Sequence, residues 1–350
     1  MPIATRQDLH DHLELAIQVE LTTVPPYLYA MYSIENPRSE PARLLRSIVV
    51  EEMLHAVLAA NVLLGVGGRP RFDLTGSMPR YPGWLPHHKP PLQVRLQPCS
   101  IEVVRDVFAR IEQPEIHGSP AEPDDFETLG QFYHAIEIGL AELASREDLF
   151  ADPQLTSQLT DPSFYAPVDE DADDSGGLVG VTDLASADKA IQVIVHQGEG
   201  LSDERWADLS HRELTHYYKL RQILDGRVRL GAIRPLPTDP RTGDYPESLQ
   251  PASTLFNTAY RYRFVLLDQL LGPTAEKGPL IGELYRVMTQ VMGTVAHFLV
   301  RQPLADGLVA APTFEVVDID PIDAREHLAG LAADVSRTWP ELRPVASALS

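Results

Sequence analysis

An all-α fold, a helical bundle extended by further helices towards its C-terminal end, is what this sequence predicts. Three observations carry the prediction. Apolar residues recur at three- and four-residue steps through long segments bounded by Pro and Gly. Strand-like alternation is sparse, and no short fixed repeat is present. Glutamate and histidine sit inside several of the apolar stripes, where a helix facing solvent would not place them.

The first helix is expected over about residues 5–33, with Leu9, Leu13, Ile17 and Glu20 on one stripe. Pro25 and Pro26 each remove a backbone donor and crowd the preceding turn, so a kink or restart is expected there. Asn36-Pro37 ends it. The second helix is expected from Ser39, as N-cap, to Leu64, where Gly65-Val66-Gly67-Gly68 stops it. Its stripe is Leu45, Ile48, Glu52, His55, Ala59 and Val62. The short link between the two makes an antiparallel hairpin.

Residues 69–123 are broken by prolines and read as an extended crossover, with a short helix near Ser100–Glu112. A third helix is expected over about 124–148, with Phe132, Tyr133, Ile136 and Leu140 inward, and 153–183 reads as an acidic surface loop. Helical pattern returns over about 186–197, is broken at Gly198-Glu199-Gly200, and resumes to Leu224, with Ser210 and Glu213 as a capping box. After a second proline-rich segment, helices are expected over about 252–271 and 280–299. The organisation expected is a bundle over 1–225 and a helical extension over 226–350.

With 350 residues and an apolar fraction of 44%, the chain can bury a sizeable core. Fifty acidic against 29 basic residues give a formal charge of -21, which repels phosphate backbones and anionic lipid, so no nucleic-acid or membrane partner is expected. Cys99 is the single cysteine, so any metal site must use carboxylates and imidazoles. The first residues lack a basic start followed by an apolar run, and no stretch approaches the ~20 uninterrupted apolar residues of a membrane helix. A cytoplasmic location is expected.

Glu52-Met-Leu-His55 and Glu213-Leu-Thr-His216 are both Glu-x-x-His. Positions i and i+3 of a helix share a face, so carboxylate and imidazole can reach one ion together. Two such pairs on facing helices, plus one glutamate from each of two others, form the ligand set of carboxylate-bridged di-metal bundles. Hard carboxylates suit the higher oxidation state of iron and imidazole keeps the lower one bound. A single Glu-x-x-His is usually a solvated surface pair. Three carboxylates on apolar stripes need a compensating cation, because a buried unpaired charge costs several kcal/mol.

Glu20 lies about as far before Asn36-Pro37 as Glu52 lies after it, which levels the two in a hairpin. Glu199 and Glu213 flank the second breaker in the same way, so Glu199 is a candidate for the last carboxylate, with Glu137 as its rival. Glu51 fits an i,i+4 relation to His55, but the register of Glu52 places Glu51 behind the ligands. Tyr27, on the face of Glu20, is read as a packing residue, a hydrogen-bond partner of a ligand carboxylate or a wall of the substrate channel. Thr23 either caps carbonyls freed by Pro26 or contacts bound dioxygen. His196 and Gln197 stand behind the ligands, His134 matters only if Glu137 is one, and His297 is structural.

Glu20-Leu-Thr-Thr-Val-Pro-Pro-Tyr-Leu-Tyr-Ala-Met-Tyr-Ser-Ile, Glu51-Glu52-Met-Leu-His55 with Asn61, Gln197-Gly-Glu-Gly200 and His216-Tyr-Tyr together resemble the ferritin-like family that includes the iminophenylpyruvate dimer synthase domain of violacein biosynthesis. The similarity covers about residues 1–225. Phe256-Asn257 with Tyr260, and Pro312-Thr-Phe-Glu315, are similar to the C-terminal helices of longer members. The resemblance implies a ferritin-like four-helix bundle with Glu20, Glu52, His55, Glu213 and His216 as ligands. The function expected is a non-haem di-iron oxidoreductase, with two Fe ions (or Mn, or a mixed pair) and dioxygen as co-substrate. Its substrate is expected to be a small organic molecule, an amine or amino-acid derivative, and the protein a homodimer. The alternatives are an iron-handling ferroxidase and a non-catalytic helical scaffold.

Overall fold

The computed structural model describes residues 3–72, 78–115, 119–168, 176–198, 215–274 and 276–350. The fold is all-α: among the described residues the one sheet is a two-residue antiparallel pair, Gly83–Trp84 with Gln93–Val94.

Helix α1, Arg6–Ser33, starts in a reciprocal cap. The Thr5 hydroxyl accepts from the Asp8 N–H at 3.1 Å, and the Asp8 carboxylate accepts from the Thr5 N–H at 2.9 Å. Contrary to the expected restart, α1 runs through Pro25 and Pro26 as one helix. The carbonyl of Thr22, four residues before Pro26, accepts instead from the Tyr81 hydroxyl at 2.7 Å. The proline-rich crossover thus repairs the defect that the proline makes in α1.

Helix α2, Glu40–Gly65, lies against α1 along its length. Its end needs glycine twice: Gly67 has φ +80°, and a Cβ on Gly65 would meet Val181 Cγ1 at 2.4 Å. Mean hydropathy over an 18-residue window of α2 is 1.6, enough to cross a membrane by composition and length, yet 89% of that window is buried in protein.

Helix α3 is built of Ile101–Val103, a π-helical turn Val104–Phe108 and Ala109–Ile111, and it delivers Glu112 at its end. Helix α4, Leu129–Ala144, has a Thr128–Gln131 capping box and packs on α1 and on α5, Leu184–Gly198, which also lies on α2. Helix α6, His216–Leu224, closes the bundle against α2, α3 and α5. The capping box expected at Ser210–Glu213 lies outside the described residues. Asn61 ties α2 to the long loop: its amide donates to the carbonyls of Leu159 at 2.9 Å and Val179 at 3.0 Å and accepts from the Leu159 N–H at 3.0 Å.

Helix α7, Gln250–Leu270, is the axis of the C-terminal part. Around it pack α8 (Gly278–Tyr285, π-helical Arg286–Met292 and Gly293–Leu299), α9 (Ala324–Thr338) and, beside α9, α10 (Arg343–Leu349). One apolar core joins Leu13, Leu63 and Phe132 to Phe256, Leu267 and Leu299. A second, smaller core of Val24, Tyr27, Leu45, Phe108 and Leu220 fills the junction of α1, α2, α3 and α6.

Candidate metal centre

Between these helices the apolar interior gives way to a cluster of charge-bearing side chains. Glu20 from α1, Glu51, Glu52 and His55 from α2, Glu112 from the end of α3, and His216 and Lys219 from α6 are all buried. Glu52, His55 and His216 each offer one ligand atom within 4.8 Å of the others, a grouping that could hold a metal ion.

Glu52 is central. Its Oε1 lies 2.9 Å from His216 Nδ1, and its Oε2 accepts from the Thr23 hydroxyl at 2.7 Å. His216 Nδ1 is also 3.3 Å from Glu112 Oε2. Glu20 Oε2 lies 3.4 Å from His55 Nδ1, while its Oε1 accepts from the Tyr133 hydroxyl. Tyr27 donates to Glu112 Oε1. Both imidazoles therefore turn Nδ1 inward and Nε2 outward. The outer nitrogen of His55 meets the side-chain oxygen of Gln197 at 2.9 Å, and that of His216 meets Glu51 Oε2 at 2.8 Å. The two rings stack with centroids 5.3 Å apart.

Among the described residues, Glu51 of the four carboxylates Glu20, Glu51, Glu52 and Glu112 pairs with a buried ammonium, Lys219. Burial, then the charges of Glu112 and Glu20, push the Glu52 carboxyl well above its ordinary value. Burial acts against a charged His216, but Glu112, Glu51 and Glu52 overcome it and hold the ring's pKa well above the usual imidazole range. Burial also acts against a charged Glu20, and is outweighed by His55, Glu52 and Tyr133, so this carboxyl is lowered. For Glu51 the Lys219 ammonium and His216 win over burial and bring the pKa down to about 2. Oxygens of several carboxylates and two imidazole nitrogens are the donors that hard or borderline divalent cations take.

The structure brings together Glu20, Glu52, His55 and His216, with Tyr27 and Thr23 each on a carboxylate of the group. The Thr23 hydroxyl also lies 2.7 Å from the Glu20 carbonyl, a one-turn backbone contact; the carbonyl freed by Pro26 is taken by Tyr81. Glu199 and Glu213 lie outside the described residues. Glu137 is placed elsewhere: half-buried on α4, it accepts from the Gln192 amide at 2.5 Å. One turn earlier, Tyr133 takes the position on α4 that faces Glu20. Glu112, which stands in the cluster where Glu137 does not, was missed. Its signal was Ile111-Glu112-Gln113-Pro114, an acid on the last turn of a short helix with an apolar face.

A small cavity of about 10 Å³ opens beside the cluster, bounded by Glu20, Glu52, His55, Glu112 and Tyr133 and by an apolar wall that includes Leu129, Ile194 and Val195. A larger groove, about 620 Å³, runs along the outside of α1 past Asp8, Asp11, His12, Glu14, His87 and Asp124 and contains none of the cluster.

A family model described as Ferritin-like matches residues 13–225, more than half of the chain. The chain belongs to the Ferritin-like family. Every member of the cluster falls within the span of that match. Similarity extends to dichlorochromopyrrolate synthase from Lentzea aerocolonigenes, 24% identical over 401 residues that cover 90% of this chain and 36% of the relative. The present chain thus spans little more than a third of that protein. A crystal structure of a ferritin-like protein from Caulobacter vibrioides has a TM-score of 0.57 at 23% identity, covering 82% of this chain and 96% of that one. At this identity the likeness shows the Ferritin-like fold alone.

Proposed function

We propose that this chain is a non-haem di-iron enzyme that uses dioxygen to oxidise a small organic substrate, an amine or amino-acid derivative. The observation that carries the reading is the convergence of Glu20, Glu52 and Glu112 with the Nδ1 atoms of His55 and His216 in a buried cluster. In such a centre Glu20 and His55 would serve one ion and Glu112 and His216 the other, with Glu52 shared. The choice of a small organic substrate follows the name of the relative only in its general class, a synthase.

Bound iron would supply the electrons that reduce dioxygen. The chain's own residues do the rest. Thr23 holds Glu52, Tyr27 holds Glu112 and Tyr133 holds Glu20, so each acid has one fixed oxygen and one turned to the cluster. Gln197 and Glu51 set the direction of the two rings. Leu129, Ile194 and Val195 keep bulk water from the cavity, which strengthens every electrostatic contact inside it. Among the described residues the cavity beside the cluster, about 10 Å³, has room for no more than about one water.

The test is anaerobic Fe(II) titration followed by oxygen uptake. Two ions per chain, oxygen consumption that depends on them, and loss of at least one ion in His55→Ala are expected. Intact iron uptake by His55→Ala would sink the reading.

A further inference from the structure

We propose that Lys219 is a positioning residue that holds Glu51 outside the ion-binding cluster as the partner of His216, and so makes the two halves of the centre unequal. The inference rests on the two-ion reading above and concerns which acids take part.

Helix α2 offers two adjacent buried carboxylates, Glu51 and Glu52, and both stand within one turn of His55. Their i,i+4 and i,i+3 relations to His55 both suit an ion, and the register of the apolar stripe favours Glu52. Lys219 fixes that division. Its Nζ lies 2.6 Å from Glu51 Oε1 and 2.5 Å from Oε2, with both side chains nearly inaccessible to solvent. Glu51 Oε2 accepts in addition from His216 Nε2 at 2.8 Å. Lys219 follows His216 by three residues on α6, so one helical face delivers both the imidazole and the cation that fixes its acceptor. With both oxygens engaged, Glu51 is not available to turn towards the cluster.

The other half of the centre is built differently. The outer nitrogen of His55 meets the neutral amide of Gln197 at 2.9 Å. A carboxylate behind an imidazole raises its basicity as a ligand more than an amide does, and such outer partners change metal affinity by about 10–100-fold. His216 is therefore the stronger donor of the two. Without Lys219, Glu51 loses its cation in a site too buried for water to replace it, and both the ring and the acid are released.

The experiment uses the full chain loaded anaerobically with ⁵⁷Fe(II) and read by Mössbauer spectroscopy. The wild type is expected to show two quadrupole doublets of equal area and different splitting. Lys219→Met should shift one of them and weaken one Fe(II) site about 10–100-fold. Gln197→Leu should shift the other, and Lys219→Arg should restore the wild-type pair. Should Lys219→Met not fold, the double variant Lys219→Met/Glu51→Gln removes both charges together. It backs His216 with an amide, as His55 already is, so the two doublets should converge. Doublets unchanged in Lys219→Met, a single doublet moved by both Lys219 and Gln197 variants, or a double variant with the wild-type separation overturns the proposal. A wild type that takes up no iron pair overturns the two-ion reading itself, a failure distinct from these.

Discussion

Among the described residues, the polar cluster around Glu52 contrasts with a partly buried one in the C-terminal part, and the two are closed in different ways. In the C-terminal part, the Asn257 amide donates to Thr313 Oγ1 at 2.8 Å and its oxygen accepts from the Glu315 N–H at 3.1 Å. Thr242 gives both its hydroxyl, at 2.6 Å, and its N–H, at 2.8 Å, to Glu315 Oε2. In these contacts each donor meets an acceptor. Between α1, α2, α3 and α6, acids face acids: burial and the charges of Glu112 and Glu20 push the Glu52 carboxyl up, and the acids around His216 push that ring up against burial. A self-satisfied network fixes a fold. One that is completed by exchangeable cations is built to bind.

The sharpest way to break this contrast is a pair of substitutions. Glu52→Gln should lower Fe(II) affinity about 100-fold or more, the upper range for changes around metal ligands, while leaving the melting temperature of the metal-free protein unchanged or raised. Asn257→Ala should do the opposite. It leaves buried partners unsatisfied and should cost about 1–3 kcal/mol of stability, seen in urea unfolding, with metal affinity unaltered.

A pH series separates the clusters next. Glu52, raised by burial and by Glu112 and Glu20, and His216, raised by its acids against burial, both bind protons more tightly in the folded metal-free chain than in the unfolded one. The stability they contribute is fully present below the unfolded values of about 4.3 and 6.5 and is lost as pH rises through the folded ones. Glu51, lowered to about 2 with Lys219 and His216 outweighing burial, contributes above about pH 4.3 and loses that contribution as pH falls towards 2. The melting temperature of metal-free protein should therefore fall as pH rises above the unfolded imidazole value of about 6.5. Because ions displace the two protons, the rise in melting temperature on adding metal should be larger at about pH 8 than at about pH 6. An equal rise at both would show that no proton leaves.

The smallest effect is expected from Glu137→Gln. Its partner Gln192 can still be bonded, so stability should move by no more than about 0.5 kcal/mol and metal stoichiometry should stay the same.

The helices were legible because each buries a stripe whose period is set by backbone geometry, and α1, α2 and α7 fall within a few residues of expectation. Glu20, Glu52 and His55 were legible for the same reason, as polar residues in an apolar stripe. Glu112 was not, because it sits at the end of a short helix inside a proline-rich crossover, where periodicity is too brief to give it a face. Lys219 escaped because a lysine reads as a solvated residue until the acid it neutralises is seen beside it. The unbroken course of α1 through two prolines depends on Tyr81, a contact over 59 residues that no local pattern contains.

The claim that the buried acids form a two-ion centre is tested most directly by anomalous diffraction at the iron edge, from crystals grown with Fe(II). Two peaks sharing Glu52 are expected, one flanked by Glu20 and His55 and the other by Glu112 and His216. A single peak, no peak, or density centred on Glu137 would contradict the account.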